Sequence, residues 1–460
     1  MIKAGFLPLY VELYDKSSPE MRPQIERFNE EIKQKLSESG LEIIPADICR
    51  LESEFLNAVS LFEKNGADCI ITLHLAYSPS LESVKALTGT SLPLLVLDTT
   101  PDYEFCYKTD SGAISYNHGI HGVQDMCNVL KRNGKKYKLF TGHYLYSDVI
   151  AEISAAARAI GAANRLKRGV KIGKVGKTFE GMGDFLVSDE SFASLGISTV
   201  KLSEEKLCRL KDGVTEAELK AEFEKDRLIP GTEEIGFETY KKTEAVGLAV
   251  RKWLEEEKLD GFSMNFQSAG EMKGFDTMPF SEASKAMARG TAYAGEGDLL
   301  TAGLLSAFIP FFKDAGFIEM FCPDWKGGGI FLSHMGECNL NFMDAQHMII
   351  KDFPYASAFN PTCIMGHMRA GKVCIVNIAP NENHSFTMTF AEGNMLPLPE
   401  DIGSFNDSIS GWFKPQTDIR TFLKKYSENG ATHHSVMIYG VGAESLSCFA
   451  EAMGLEYKII

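Results

Sequence analysis

The strongest constraint on this chain is a rhythm that fills its first 170 residues. Strand-like and helix-like stretches alternate, and two of the strands, residues 69–75 and 92–97, read as continuous apolar runs. A strand with one wet face alternates polar and apolar residues; a strand without that alternation is covered on both faces, as in a parallel sheet. Residues 3–10 and 41–45 supply two further strands. Between them, Ser18-Pro19 predicts a helix start, with Met21, Ile25, Phe28, Ile32 and Leu36 at helical spacing and Gly40 as its end. Another helix is predicted on Leu51, Phe55, Val59 and Phe62, and the pattern recurs from Val123 to Arg165. The expected unit is a doubly wound α/β domain over residues 1–168. Ligands of such domains gather outside the carboxyl ends of the strands. His74 falls at one such end, and His118 and His121 fall just ahead of a helix beginning near Gly122.

A second α/β region is expected over 169–316. Its opening places Gly176-Lys177-Thr178 after a strand, but a P-loop needs a glycine where Lys171 stands, so no phosphate cradle is predicted. The charged stretch 203–234 reads as surface helices with a solvated face. From 317 to 460 the texture changes to strands, at 330–333, 372–378, 385–390 and 412–414, separated by turns rich in Gly, Pro and Asn. The fold class is therefore α/β: two doubly wound parallel α/β domains, followed by a mostly antiparallel β C-terminal domain. That domain is expected to end with a strand at 434–439, a helix at 443–453 and a last strand. A chain of 460 residues is too long for one core, in keeping with this division.

Net charge is −15, from 47 basic and 62 acidic residues, and the basic ones are scattered. Nucleic acid and anionic membranes are poor partners for such a surface. The longest apolar run, 299–312, is broken by Pro310 and is too short to span a bilayer. The first 15 residues lack the apolar core and cleavage site of a signal peptide. Ten cysteines are dispersed without a Cys-x-x-Cys pair, mostly among apolar neighbours, as in a reducing compartment. A cytoplasmic protein is expected.

The chemistry concentrates between Ala294 and Glu337. Glu296 sits in the turn Gly295-Glu296-Gly297-Asp298, and the flanking glycines allow a sharp presentation of its side chain. Residues 299–309 predict a buried helix with Asp298 as N-cap. Glu319 interrupts the apolar strand formed by Phe317, Ile318, Met320 and Phe321, and a second strand, after Gly327-Gly328-Gly329, delivers His334. Two carboxylates and an imidazole buried among apolar residues need partners, and a divalent metal is one. An edge position, a salt bridge or an ordinary core histidine would serve equally at this point. Farther on, His433-His434 precede an apolar strand, where alternation allows at most one of the two to reach a given site. His118-x-x-His121 has metal-ligand spacing but no third ligand nearby.

Taken together, GEGDLLTAGLL, the Glu-bearing strand upstream of Ser-His-Met, Gly-Ala-Thr-His-His ahead of an apolar strand, and the closing FAEAMGLEYKII resemble the L-arabinose isomerase family, within the L-fucose/L-arabinose isomerase group. GIHGVQD is similar to that family's His-Gly-Gly segment, and Met182 in FEGMGDF falls where the family has a Met near the sugar. The resemblance implies one Mn²⁺ per subunit, held by Glu296, Glu319, His334 and His434. It implies substrate contacts from Met182 and from His121, the latter reached from a neighbouring protomer. It also implies three domains per subunit in a trimer-based homo-oligomer, commonly a hexamer.

The implied activity is aldose–ketose isomerisation of a free sugar, L-arabinose to L-ribulose in type, through an enediol. Glu296 and Glu319 would be general base and acid, and four protein ligands leave two positions on an octahedral ion for a vicinal diol. Alternatives of the same fold are an isomerase of another aldose, such as L-fucose or a derivatised sugar, and a non-catalytic sugar-binding protein. Two departures bear on the sugar. Phe6-Leu7-Pro8-Leu9-Tyr10 stands where the family has Gln-His-Leu-Tyr, and His334-Met335-Gly336-Glu337 replaces His-Met-Leu-Glu.

Overall fold

The computed structural model describes residues 2–460, and the chain divides into two compact units. The first unit runs to Asn164 and takes in Glu444–Ala452. Its sheet is formed by β1 (Ile2–Leu9), β2 (Leu41–Pro45), β3 (Cys69–His74), β4 (Leu94–Asp98) and β5 (Lys138–Thr141), in the order β2-β1-β3-β4-β5. Every pairing is parallel. β3 and β4 are buried at every position, as their apolar runs require. Phe55 and Phe62 of the helix Glu52–Lys64, Leu87 of Ser80–Gly89, and Val123 and Leu130 of Gly119–Arg132 pack with Leu7, Ile70 and Val96 of the sheet. The strand order reverses between β1 and β3, whose last residues, Leu9 and His74, pair with each other.

One helix starts later than its sequence predicts. Ser18-Pro19 opens a single 3-10 turn, Pro19–Met21, and the α-helix proper is Arg22–Glu38, with a short helix Glu12–Ser17 ahead of it. Pro23 stands in the first turn of that α-helix, where a missing N–H leaves no bond unmade.

The second unit, Arg165–Ala443 with Met453–Ile460, carries two sheets. The first is parallel: β6 (Val170–Val175), β7 (Ile197–Lys201), β8 (Gly261–Met264) and β9 (Ala292–Gly295), in the order β7-β6-β8-β9. The second contains β10 (Ala315–Asp324), β11 (Gly329–Ser333), β12 (Met343–Ile350), β13 (Thr362–Met368), β14 (Gly371–Pro380), β15 (Phe386–Met395), β16 (Ile409–Pro415), β17 (His434–Tyr439) and β18 (Glu456–Ile459). Its order β16-β11-β10-β17-β14-β15 closes on itself, because β15 also pairs with β16. All pairings around that ring are antiparallel, so the strands form a barrel without free edges. The helix Ala443–Met453 leads into β18.

The charged stretch after Ser203 does form helices, Glu204–Asp212, Glu216–Asp226 and Thr232–Ile235, but it is not simply a solvated face. Glu222 and Asp226 are buried beside Lys285, whose Nζ lies 3.1 Å from Glu222, 2.9 Å from Asp226 and 2.9 Å from Glu244. Arg251 completes the group through Glu222 and Glu282. Burial made these charges pair, and charge counting along the sequence could not see the buried lysine opposite them. No helix among the described residues is long and apolar enough to cross a membrane.

Candidate metal centre

β9 ends in Gly295, and the next residue, Glu296, adopts a left-handed backbone at φ 61°. That region is costly for a residue with a Cβ. A Cβ on Gly295 would fall 2.6 Å from the His334 ring, and Gly297 has φ 80°. Both glycines in Gly-Glu-Gly-Asp are therefore fixed by geometry. The carbonyl of Glu296 accepts from Phe179 N–H at 2.9 Å, which ties the turn to the loop after β6.

Asp298 has two tasks. Its Oδ1 accepts from Thr301 N–H at 2.9 Å and caps the buried helix Leu299–Phe308. Its Oδ2 lies 3.0 Å from Nδ1 of His434. His434 opens β17 directly opposite Glu319 of β10, and Glu319 is in turn opposite Ser333 of β11. Residues directly opposite each other in antiparallel strands project to the same face. The register thus places Glu319 and His434 side by side, and His334 follows Ser333 as β11 ends.

The side chains converge accordingly. Nε2 of His334 is 3.7 Å from Glu319, and Nε2 of His434 is 3.8 Å from Glu296. Nδ1 of His334 is 3.0 Å from the buried carboxylate of Glu337, a charge contact off the line of a good hydrogen bond. Glu337 itself accepts from Tyr293 O–H at 2.8 Å and from Gly336 N–H at 2.8 Å. The Phe317 ring meets both imidazoles edge-on, at 4.7 Å for His334 and 4.8 Å for His434. Phe185 stacks flat on His434 at 5.1 Å.

His433 breaks the expectation from strand alternation. β17 begins at His434, so His433 lies in the bend before the strand and both rings turn to one side. Its Nε2 is 3.8 Å from Glu296, as that of His434 is, and the two ring centres are 4.1 Å apart. Asp184 holds it by accepting from both its backbone N–H, at 2.9 Å, and its ring Nδ1, at 2.6 Å.

Two sets of donors result, Glu296–His433–His434 and Glu319–His334–His434, with the atoms of each set within 4.8 Å of one another. The Nε2 atoms of His334, His433 and His434 are buried and have no hydrogen-bond partner among the described residues. Buried polar atoms are ordinarily satisfied, so the orphaned nitrogens of His334 and His434 beside Glu319 and Glu296 fit a divalent cation, and that of His433 faces Glu296 alone. Mixed imidazole and carboxylate donors without thiolate suit a divalent first-row transition metal. Among the described residues the other acidic group of this spacing, Glu222–Glu244–Glu282, is already bonded to Lys285 and Arg251.

The electrostatics agree. Burial opposes charge on Glu296, but His433, His434 and His334 outweigh it and hold its carboxyl below the usual range. Burial also opposes charge on His334, yet Glu337, Glu319 and Glu296 raise its pKa. His433 is driven up to about 10, since Asp184 and Glu296 override its desolvation. Glu296 on one side and His334 and His433 on the other thus favour each other's charged forms.

The remaining predicted residues lie elsewhere on the backbone. Met182 is half-buried in the loop after β6, two residues before Asp184. His121 is exposed in the first turn of the helix Gly119–Arg132, 5.4 Å ring to ring from His118, which bonds Tyr14 O–H at 2.9 Å. No third donor joins that pair among the described residues. Sequence reasoning missed Asp184, Phe185, Tyr293 and Glu337. Only Glu337, three residues after His334, carried a local signal.

Residues 314–456 match the family described as the L-arabinose isomerase C-terminal domain. Across nearly the whole chain the similarity is to proteins named L-arabinose isomerase. That of Shouchella clausii (strain KSM-K16) is 22% identical over 99% of this chain and 93% of its own length. That of Herpetosiphon aurantiacus is 24% identical over 95% and 90%. That of Bacillus subtilis (strain 168) is 23% identical over 85% and 80%.

Proposed function

We infer, from a chain that carries the C-terminal domain of the L-arabinose isomerase family and aligns with enzymes of that name along nearly its full length, a metal-dependent aldose–ketose isomerase acting on a free sugar. The observation that carries the reading is the convergence of Glu296 and Glu319 with three unpartnered imidazole nitrogens in one buried site. Glu296, Glu319, His334 and His434 would hold Mn²⁺. Bound there, the ion would act as a Lewis acid toward the two oxygens of a vicinal hydroxy-carbonyl pair.

The residues do the rest. Isomerisation moves a proton between C2 and C1 and another between the oxygens. Glu296, presented from its turn, and Glu319, presented from β10, come from different segments and supply two carboxylates to hold those protons. Phe185 and Phe317 cover the histidines with apolar rings, which keeps water from competing for the same donors. Two carboxylates that would take and return the carbon-bound proton support an enediol route.

A different sugar is the second reading, and the first strand favours it. Phe6, Leu7, Leu9 and Tyr10 are all buried where the family places a sugar-touching Gln-His-Leu-Tyr element.

The test is turnover with Mn²⁺ on L-arabinose, L-fucose and other aldoses, read by the ketose formed. In D₂O the ketose should carry deuterium at C1. Glu296→Gln keeps the size of the side chain and loses its charge, so turnover should fall by about 10²-fold or more. An unchanged rate in that variant removes Glu296 from the mechanism. Binding of sugars without any turnover would leave a binding protein.

A further inference from the structure

Resting on the reading of Glu296 as a proton-handling carboxylate, the geometry points to Asp184 and His433 as a positioning pair that fixes Glu296. Asp184 accepts two hydrogen bonds from one residue, from the backbone N–H and the ring Nδ1 of His433. Two bonds to a single carboxylate oxygen lock both the bend at 433 and the ring's rotation. The locked ring can present only Nε2 inward. That atom is buried, has no hydrogen-bond partner among the described residues and lies 3.8 Å from Oε2 of Glu296.

The same loop grips the site twice more. Phe179 N–H bonds the Glu296 carbonyl at 2.9 Å, and Phe185 stacks on His434 at 5.1 Å while touching the His433 ring at 5.6 Å. Glu296 needs such support. It stands at φ 61° on a turn between two glycines, where the backbone alone gives its side chain little restraint. A carboxylate that exchanges a proton with carbon must keep one rotamer, since displacement of about 1 Å can cost about 10²-fold in rate. His433 supplies the direct contact, and Asp184 acts through His433. Phe185, pressed on the neighbouring ring, closes off the alternative tilt.

The experiment uses the full chain with Asp184→Asn, His433→Ala and the double variant. Turnover should fall about 10-fold in Asp184→Asn and about 10²-fold in His433→Ala. KM and the Mn²⁺ dissociation constant, measured by calorimetry without sugar, should move less than about threefold. The double variant should be no slower than His433→Ala, because the two residues act as one unit. Nitrogen NMR of histidine-labelled, metal-free chain supplies a readout independent of turnover. Nδ1 of His433 should carry the proton in the parent, and that signature should be lost in Asp184→Asn. Multiplying effects in the double variant, or a His433 ring without a proton on Nδ1, overturns the pairing. Loss of Mn²⁺ from His433→Ala as complete as from His334→Ala overturns it as well, and makes His433 a ligand. A parent that turns over no sugar ends the isomerase reading alone, since the NMR result still decides the pair.

Discussion

The molecule contains two sheet ends furnished with buried histidine, and they treat the imidazole in opposite ways. In the second unit, His334, His433 and His434 each have a carboxylate at Nδ1, from Glu337, Asp184 and Asp298. In the first unit, His74 ends β3 with neither ring nitrogen bonded among the described residues, packed against Gly122 at the start of the helix Gly119–Arg132. A carboxylate at Nδ1 orients the ring and makes Nε2 a better donor to a cation. Full burial without a hydrogen-bond partner instead keeps the ring neutral. Burial alone therefore says little about a histidine's role. The group on its far nitrogen decides it.

The sharpest way to break the comparison is to remove a donor. Glu319→Ala and His334→Ala should each take the chain from about half an Mn²⁺ bound to almost none at a free concentration near the parent's dissociation constant. The parent should gain stability from the ion by linkage, about 2.7 kcal/mol at 100 times that constant, and the variants should gain almost none. Calorimetry and melting curves with and without Mn²⁺ measure both. If both variants bind as the parent does, the converging cluster is only an internal charge network.

A smaller effect tests the carboxylates behind the rings. Glu337→Gln leaves a hydrogen-bonding group for Tyr293 but removes the charge beside His334. Asp298→Asn keeps an N-cap oxygen for Thr301 while withdrawing the charge from His434. Each should weaken Mn²⁺ binding by about 10- to 100-fold, the usual scale for partners of metal-bound histidine. Equal affinity in parent and variants would show that Nε2 convergence suffices and that the far nitrogen is irrelevant.

How much of this was legible along the chain depends on distance. The parallel strands of the first unit were, because a strand buried on both faces has no polar alternation to hide it. So was Asp298, whose capping role is a local signal; the four residues proposed as ligands lie in two donor groups that share His434. His433 escapes the alternation rule, which applies only inside a strand, because it precedes β17, whose start at His434 is the expected one. Asp184 stands 249 residues from the histidine it holds, so no spacing rule connects them. Glu222 and Asp226 sit in a run of charge that looks solvated until Lys285 is seen folded against it. For Asp184, and for Glu222 and Asp226, the deciding partner came from tertiary packing, which periodicity does not encode.

The smallest effect concerns the histidine on the other side of the comparison. Desolvation pushes the pKa of His74 down to about 3 from an ordinary 6.5, against a weak opposing pull from Asp125. The folded chain thus keeps His74 neutral through a range in which the unfolded chain protonates it. The sign follows: the stability is fully present above about pH 6.5 and is lost progressively as pH falls toward about 3. Between pH 7.5 and 5.5 the loss from this one residue should be about 1.4 kcal/mol, since one pH unit below the unfolded pKa corresponds to about that much. His74→Phe keeps a flat ring in the pocket and cannot titrate. Its own packing cost shifts the melting temperature by a constant, so the informative quantity is how the difference between parent and variant changes with pH. The variant should lose ground to acid more slowly than the parent over that interval. Parallel curves would mean that a water molecule or a shifted side chain satisfies His74, and the contrast between the two sheet ends would then be one of degree rather than of kind.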